Sequence, residues 1–208
     1  MILIGQYDSP FVRRVGIALC RYEIPFEHRP WSVWGNAEQI AQYNPLRRVP
    51  TLIFDDGSVL VESFSILDAL DELVGTERAL WPVQREARRV GLRIAALSTG
   101  VADKAVLLLY SALDLLKPSE AFKARAQKQV LETLAVLESD RASRASEYWL
   151  GDSLSHADIA FACAFRFTRE AHPALIDVSQ FPSLTAQAEH CETLPEFREI
   201  FLPITNSL

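Results

Sequence analysis

The sequence lacks an apolar run long enough to cross a membrane. A spanning helix needs about 18–20 consecutive apolar residues, and the longest apolar stretch, residues 106–116, is interrupted by Ser111 and Asp114. Residues 1–8 also lack the basic region and the cleavage pattern of a signal peptide. We therefore expect a cytoplasmic protein that has no membrane partner.

Basic residues and cysteines are also scarce. Lys and Arg number 21 against 27 Asp and Glu, which gives a formal net charge of −6, whereas nucleic-acid binding needs a basic surface. The three cysteines, Cys20, Cys163 and Cys191, form no Cys-x-x-Cys pair, and no two histidines are spaced i, i+4. We therefore expect no nucleic-acid partner and no metal site, with the cysteines reduced and packed as small apolar groups.

The composition is that of a folded protein. Of the 208 residues, 49% are hydrophobic and 23% are charged, so apolar burial can offset the entropy lost on folding. The length suits one large domain or two small ones.

The first third of the chain alternates between strand and helix patterns. The apolar residues 2–4 predict a buried strand, and Ser9 followed by Pro10 predicts a helix start. Residues 26–29 predict a second strand, and a short helix is expected near residues 37–42. This is a β-α-β unit.

A hairpin pattern follows. Residues 51–54 and 59–61 are β-prone and flank an Asp-Gly turn, which is a strong local hairpin signal. Ser63 is expected to cap the helix after them. The order of elements is therefore β-α-β, then β-β-α.

Strand patterns largely disappear after a linker over residues 75–83. A helix is expected from Arg85 to about Leu116. Residues 155–158 (SHAD) are close to a capping box, with Asp158 in place of the usual Glu, and a buried central helix is expected after Ser155. Residues 193–196 resemble a capping box that starts a last short helix. The layout is a small α/β domain followed by a larger all-helical domain.

Three local patterns together resemble the glutathione S-transferases, of the bacterial kind with a serine active site. They are residues 9–15 (SPFVRRV), residues 44–52 (NPLRRVPTL) and the pair Glu62-Ser63. The resemblance covers the whole chain in element order. It implies a thioredoxin-like glutathione-binding domain over residues 1–77 and an all-helical domain over residues 85–208 that carries the second-substrate site.

Ser9 is the catalytic residue that the resemblance implies. Its position alone predicts only a helix cap, although it also follows the first strand, where open α/β sheets bind ligands. In the family this hydroxyl donates a hydrogen bond to the glutathione sulfur. Cys20 is a rival, because some relatives use cysteine, but it lies eleven residues further along the same helix.

The resemblance also assigns glutathione-binding residues around Val49-Pro50. It implies a cis peptide bond there, with the Val49 backbone pairing with the cysteinyl backbone of glutathione like an added strand. Arg48 would bind the glycyl carboxylate. The family pattern has Gly and then Lys before Val-Pro, whereas this chain has Arg47 and then Arg48.

Glu62 and Ser63 would bind the γ-glutamyl end of the tripeptide. Locally they predict only an acidic residue and a cap near a helix N-terminus. The resemblance implies that Ser63 donates to the γ-glutamyl carboxylate, an anion at a helix N-terminus, and that Glu62 faces the ammonium group.

Other residues have both a packing and a functional interpretation. Trp31 and Trp34 either pack under a loop or line the glutathione pocket. Asp103, on the first long helix, either faces solvent or approaches the γ-glutamyl ammonium across a dimer. The arginines of the same helix are expected on a solvated face, and they are Arg85, Arg88, Arg89 and Arg93.

The second substrate is expected against an apolar wall of the helical domain, which suits hydrophobic electrophiles. The residues expected there are Val101, Ala105, Leu108 and Phe165.

The activity implied is that of a glutathione transferase in detoxification, with glutathione as co-substrate and a homodimeric assembly. Glutathione-dependent peroxide or disulfide reduction, or isomerisation, would use the same thiolate. A non-catalytic interaction protein of the same fold is the third alternative.

Overall fold

The computed structural model of the protein describes residues 1–204. Its strands are β1 Ile2–Ile4, β2 Glu27–Arg29, β3 Thr51–Ile53 and β4 Val59–Val61. Its α-helices within the same residues are α1 Pro10–Arg21, α2 Ala37–Ala41, α3 Ser63–Val74, α4 Arg85–Ala112, α5 Glu120–Ala142, α6 His156–Ala171, α7 Pro182–Glu192 and α8 Pro195–Glu199.

The strands of the first 81 residues form one mixed sheet in the order β2-β1-β3-β4. β1 pairs in parallel with β2 and antiparallel with β3, and the hairpin joins β3 to β4. α1 and α3 pack against each other beside this sheet. The expected β-α-β, β-β-α order is confirmed, and the arrangement is thioredoxin-like.

The described chain divides into two compact units, one of Met1–Trp81 with the segment from Leu194 onward, and one of Pro82–Thr193. The C-terminal segment joins the first unit because α8 packs on α1. Arg13 of α1 is 1% exposed. Its Nε donates to the carbonyl of Ile200 at 2.8 Å and its Nη2 to that of Phe197 at 2.9 Å.

The second unit is all-helical, as expected. α6 is buried along nearly its whole length because its sequence is apolar on most sides. Its start is held by Asp158, whose carboxylate accepts from the Ser155 N–H at 3.0 Å and from the Ser155 hydroxyl. The predicted capping box and buried central helix are confirmed.

The end of α4 and the capping of α8 differ from the prediction. α4 ends at Ala112 rather than near Leu116, because Asp114 takes a left-handed conformation with φ 59° and the Leu115 N–H donates back to Tyr110 at 2.9 Å. The Thr193 hydroxyl does not cap α8. It donates to the carbonyl of His190 at 2.7 Å, at the end of α7.

No helix within residues 1–204 is long and apolar enough to cross a membrane. The same residues hold no group of three or more His, Cys, Asp or Glu side chains arranged to bind a metal ion.

Candidate active site

A close approach at Gly5 brings the loop after β1 against the loop before β3. A Cβ built on Gly5 would lie 2.5 Å from Cγ2 of Val12 and 2.8 Å from Cβ of Val49, and the φ of Gly5 is +129°. Both the space and the backbone conformation therefore require glycine. The contact places Val49 beside the first turn of α1.

Ser9 lies at the start of that turn and is half-buried. It is the N-cap of α1, and its Oγ accepts from the Val12 N–H at 3.4 Å. A hydroxyl has one donor and two acceptor positions. Capping therefore uses only acceptor capacity, and the Ser9 proton stays available for donation to a ligand.

The loop before β3 is held by Asn44, which is 1% exposed. The Asn44 amide donates to the carbonyl of Arg48 at 2.9 Å and to the Thr51 hydroxyl at 3.2 Å, and its oxygen accepts from the Leu46 N–H at 3.0 Å. The sequence pattern includes Asn44 but assigns it no role. In the structure it fixes the backbone on both sides of Val49.

The backbone of Val49 itself is open. The Val49-Pro50 peptide bond is cis. Within residues 1–204, no hydrogen bond joins the N–H or the carbonyl of Val49 to another residue. An extended peptide can pair with such groups as an added strand does.

Arg47 occupies the position where the family pattern has glycine, and its φ is +53°. Its N–H donates to the carbonyl of Asn44 at 2.9 Å, so the turn is closed, and its guanidinium pairs with Glu38 at 3.1 Å. Glycine enters a left-handed conformation freely, whereas other residues are strained there. The loop therefore keeps the conformation that glycine favours.

Arg47→Gly is expected to raise the free energy of unfolding above that of Arg47→Ala. Both variants lose the exposed ion pair with Glu38, so their difference isolates the backbone. Relief of the left-handed strain favours Arg47→Gly, whereas the greater conformational entropy of glycine in the unfolded chain opposes it. The difference in the free energy of unfolding is about 0.5–1 kcal/mol in favour of Arg47→Gly. Urea unfolding of the two variants measures it, and equal midpoints would contradict the strain argument.

Arg48 and Glu62 form an ion pair. Nη1 of Arg48 lies 3.1 Å from Oε1 of Glu62, and the two side chains are 56% and 52% exposed. The two residues predicted to bind opposite ends of glutathione therefore contact each other. An exposed pair of this kind contributes about 0–1 kcal/mol, so a charged ligand can displace it at small cost.

Ser63 is the first residue of α3 and not its cap. The N-cap position is held by Glu62, whose φ is +70° and whose side chain does not cap the helix. Because the chain enters α3 through this left-handed residue, the Ser63 side chain is turned inward and is 3% exposed. Its Oγ accepts from Nη1 of Arg14 at 3.3 Å.

Helix α1 connects the predicted site residues. Ser9 caps it, its first turn reaches Val49 through Gly5, and Arg14 in its second turn contacts Ser63. The sequence patterns named Arg14 only as part of a motif, because nothing local indicates a contact with a residue 49 positions away.

Cys20 does not suit the role of a reactive thiol. Burial, followed by the nearby carboxylates of Glu199 and Glu196, raises the pKa of Cys20 to about 12. Tyr7 lies in the same surroundings, and burial with the charges of Cys20 and Glu199 raises its pKa well above the usual value. Both groups therefore stay protonated at neutral pH, and Cys20 is not a thiolate nucleophile.

Cys20→Ala is therefore expected to leave glutathione conjugation within about twofold of the parent, since a thiol with a pKa near 12 is protonated at neutral pH. In the parent, Cys20 should react with iodoacetamide at pH 7.5 more slowly than free cysteine. Mass spectrometry of the labelled peptide measures the rate. Rapid labelling, or a large loss of turnover in Cys20→Ala, would contradict this result.

Trp31 packs against the cluster of Ile4, Ile40 and Ile53, and the partly buried Val49 packs on the same cluster. Trp34 is 46% exposed. Contact of either ring with glutathione stays a prediction.

The predicted arginine face of α4 includes ion pairs with nearby acids. Arg89 and Arg93 are exposed and lie 4.0 Å from Glu86 and Asp140 respectively. Asp103 is exposed on the same helix.

The residues predicted for the second-substrate wall are buried, and the position of the second substrate stays a prediction. Val101, Ala105 and Phe165 are 0–1% exposed and Leu108 is 7% exposed. Val101 and Phe165 belong to the hydrophobic core of the helical unit. An apolar helical stripe indicates burial, and here the neighbouring helices provide it.

Comparison with known proteins places the chain in a family. The family model for the glutathione S-transferase N-terminal domain matches residues 3–78, and the model for the C-terminal domain matches residues 120–186. The "Uncharacterized GST-like protein YibF" of Escherichia coli (strain K12) is 31% identical over 166 residues, which are 79% of this chain and 80% of YibF. A maleylacetoacetate isomerase of Mus musculus is 27% identical over 190 residues, 88% of this chain and 84% of the relative.

The fold agrees with these matches. The crystal structure of a glutathione S-transferase from Methylobacterium radiotolerans, in complex with glutathione sulfonate, superposes with a TM-score of 0.89. It is 26% identical and covers 98% of this chain and 95% of its own. The chain belongs to the glutathione S-transferase family.

Proposed function

We propose that this protein is a glutathione transferase that holds glutathione as a thiolate for attack on hydrophobic electrophiles. The observation that carries the proposal is the arrangement around α1. The Ser9 hydroxyl, the open backbone of Val49 and the buried Ser63 are all connected to this helix. The relative from Methylobacterium radiotolerans, whose structure contains glutathione sulfonate, supports glutathione as the ligand.

Ser9 can activate the thiol without a general base. A thiol with a pKa of about 8.5 is only about 3% ionised at pH 7, and lowering that pKa by two units requires about 2.7 kcal/mol. A hydrogen bond from the Ser9 hydroxyl to the thiolate contributes about 1.5–3 kcal/mol. The N-terminus of α1 adds up to about 2 kcal/mol. Together these interactions suffice.

The rest of the tripeptide follows the same loops. The cysteinyl backbone pairs with Val49, and the γ-glutamyl carboxylate accepts from Ser63. The glycyl carboxylate replaces Glu62 beside Arg48, and the γ-glutamyl ammonium replaces Arg48 beside Glu62. The ligand thus exchanges one exposed ion pair for two, which keeps both side chains paired in the bound state.

Isomerisation is a second candidate, because the mouse relative named above is a maleylacetoacetate isomerase. Both reactions begin with the same thiolate, so the site does not discriminate between them.

Initial rates with four substrates distinguish transferase, reductase and isomerase activities. The substrates are an aryl halide, a peroxide, a mixed disulfide and a cis-olefinic diacid. Retention on a glutathione-affinity column, with no turnover on any of these, would favour the non-catalytic alternative.

A homodimer is part of the proposal. Family members are commonly symmetric dimers, and the long α4, with its exposed arginines, is the helix that we expect at the contact. Light scattering at micromolar concentration should give about twice the chain mass of 23.4 kDa. A mass near 23.4 kDa would reject the dimer and any role of Asp103 across it.

A further inference from the structure

Arg14 is a buried cation behind the proposed γ-glutamyl site. Its side chain is 1% exposed. Its Nη1 donates to Oγ of Ser63 at 3.3 Å, and its guanidinium carbon lies 4.5 Å from the ring centre of Phe64. The two neighbours are the first two residues of α3. The ring supports the guanidinium plane and the Nη1 group holds the serine oxygen.

The direction of this hydrogen bond has a consequence for Ser63. An arginine side chain has donors and no acceptor, so the Ser63 oxygen must accept from Arg14. The Ser63 proton is then directed away from Arg14, and a hydroxyl that accepts from a cation becomes a stronger donor. The donor that Ser63 keeps is therefore directed toward an acceptor on a ligand.

We propose that Arg14 is a positioning residue that orients the Ser63 hydroxyl toward the α-carboxylate of the γ-glutamyl group. The inference rests on the proposed binding of glutathione. It makes Arg14 a determinant of specificity for ligands that carry this carboxylate, although Arg14 acts through Ser63 and need not touch the ligand.

Arg13 is a matched control on the same helix. It is also 1% exposed and also contacts aromatic rings, but its donors hold the carbonyls of Phe197 and Ile200 in the C-terminal segment. Arg13→Met and Arg14→Met each remove one buried guanidinium. Only Arg14→Met removes the donor to Ser63.

The test uses two peptides and calorimetric titration of the full chain. One peptide is glutathione, and the other carries 4-aminobutanoyl in place of γ-glutamyl, which removes the α-carboxylate and keeps the amine. Arg14→Met should bind glutathione about tenfold more weakly than the parent, the size of one net hydrogen bond, and bind the analogue as the parent does. Arg13→Met should leave the ratio of the two affinities unchanged.

Two further variants keep the test decisive. Arg14→Lys retains a charge and a donor, so it serves if the methionine variant does not fold. Its smaller loss should again be confined to glutathione. In a Ser63→Ala background, changing Arg14 should have no further effect on glutathione affinity.

Different results would overturn the role of Arg14 and the proposed function. Equal losses for both peptides, or a loss that persists in the Ser63→Ala background, would overturn the positioning role and leave Arg14 as a structural residue. A parent chain that binds no glutathione would instead overturn the proposed function, and the inference with it.

Discussion

Ser9→Ala is expected to raise the pKa of the bound glutathione thiol by about one to two units, because the thiolate loses one charge-assisted hydrogen bond. Glutathione should still bind, since Val49 and Ser63 are unchanged. Turnover at neutral pH should fall about 3–25-fold, because the ionised fraction at pH 7 drops from about 76% at a pKa of about 6.5 to between about 24% and 3% after the shift. Ultraviolet absorbance of the bound thiolate, followed against pH, measures the shift directly.

Ser119→Ala is the matched control for this variant. Ser119 is the N-cap of α5, and its Oγ accepts from the Phe122 N–H at 3.3 Å, much as Ser9 accepts from Val12 at 3.4 Å. Both variants should lose about 1 kcal/mol of stability, the usual effect of a lost cap. Only Ser9→Ala should change the thiol pKa. An unchanged pKa in Ser9→Ala would remove Ser9 from the mechanism and leave it as a cap.

Ser63→Ala has the next largest expected effect. It should weaken glutathione binding by about 1–3 kcal/mol, because a buried carboxylate loses a donor that Arg14 has oriented. The thiol pKa of the bound fraction should stay near that of the parent, since Ser9 is intact. Calorimetric titration gives the affinity, and absorbance under saturating glutathione gives the pKa.

Ser65→Ala provides the comparison for Ser63→Ala. Ser65 is in the same helical turn but is exposed, whereas Ser63 is 3% exposed. A comparison of the two variants therefore separates the effect of removing any hydroxyl from this turn from the effect of removing the inward-facing hydroxyl of Ser63. Equal affinities in the two variants would show that Ser63 does not bind the ligand.

Most of the fold could be predicted because the signals are local. Ser9 before Pro10 marks the start of α1, the Asp-Gly turn marks the hairpin of β3 and β4, and Ser155 with Asp158 marks the start of α6. Each signal acts within about four residues, over which backbone geometry decides which groups can meet. The mistaken limit of α4 has the same origin, since an apolar pattern does not reveal the left-handed residue at Asp114.

A pattern of apolar residues does not by itself show whether a ligand or a neighbouring helix covers them. Val101 and Phe165 form apolar stripes that fit a ligand wall and a helix core equally well. The packing of α4 on α6 places them in the core. The second-substrate site therefore cannot be identified from hydrophobic periodicity.

By itself the sequence determined a small α/β half and a larger helical half. Through a family resemblance it also indicated the thioredoxin-like arrangement and the residues Ser9, Val49-Pro50 and Ser63. Only the tertiary structure decided how these residues are connected. Three contacts join residues that are far apart in the chain. They are the close approach at Gly5, the Arg48–Glu62 ion pair and the Arg14–Ser63 hydrogen bond. The physical reason is that local propensity acts over a few residues, whereas the positions of these side chains are set by packing between separate elements.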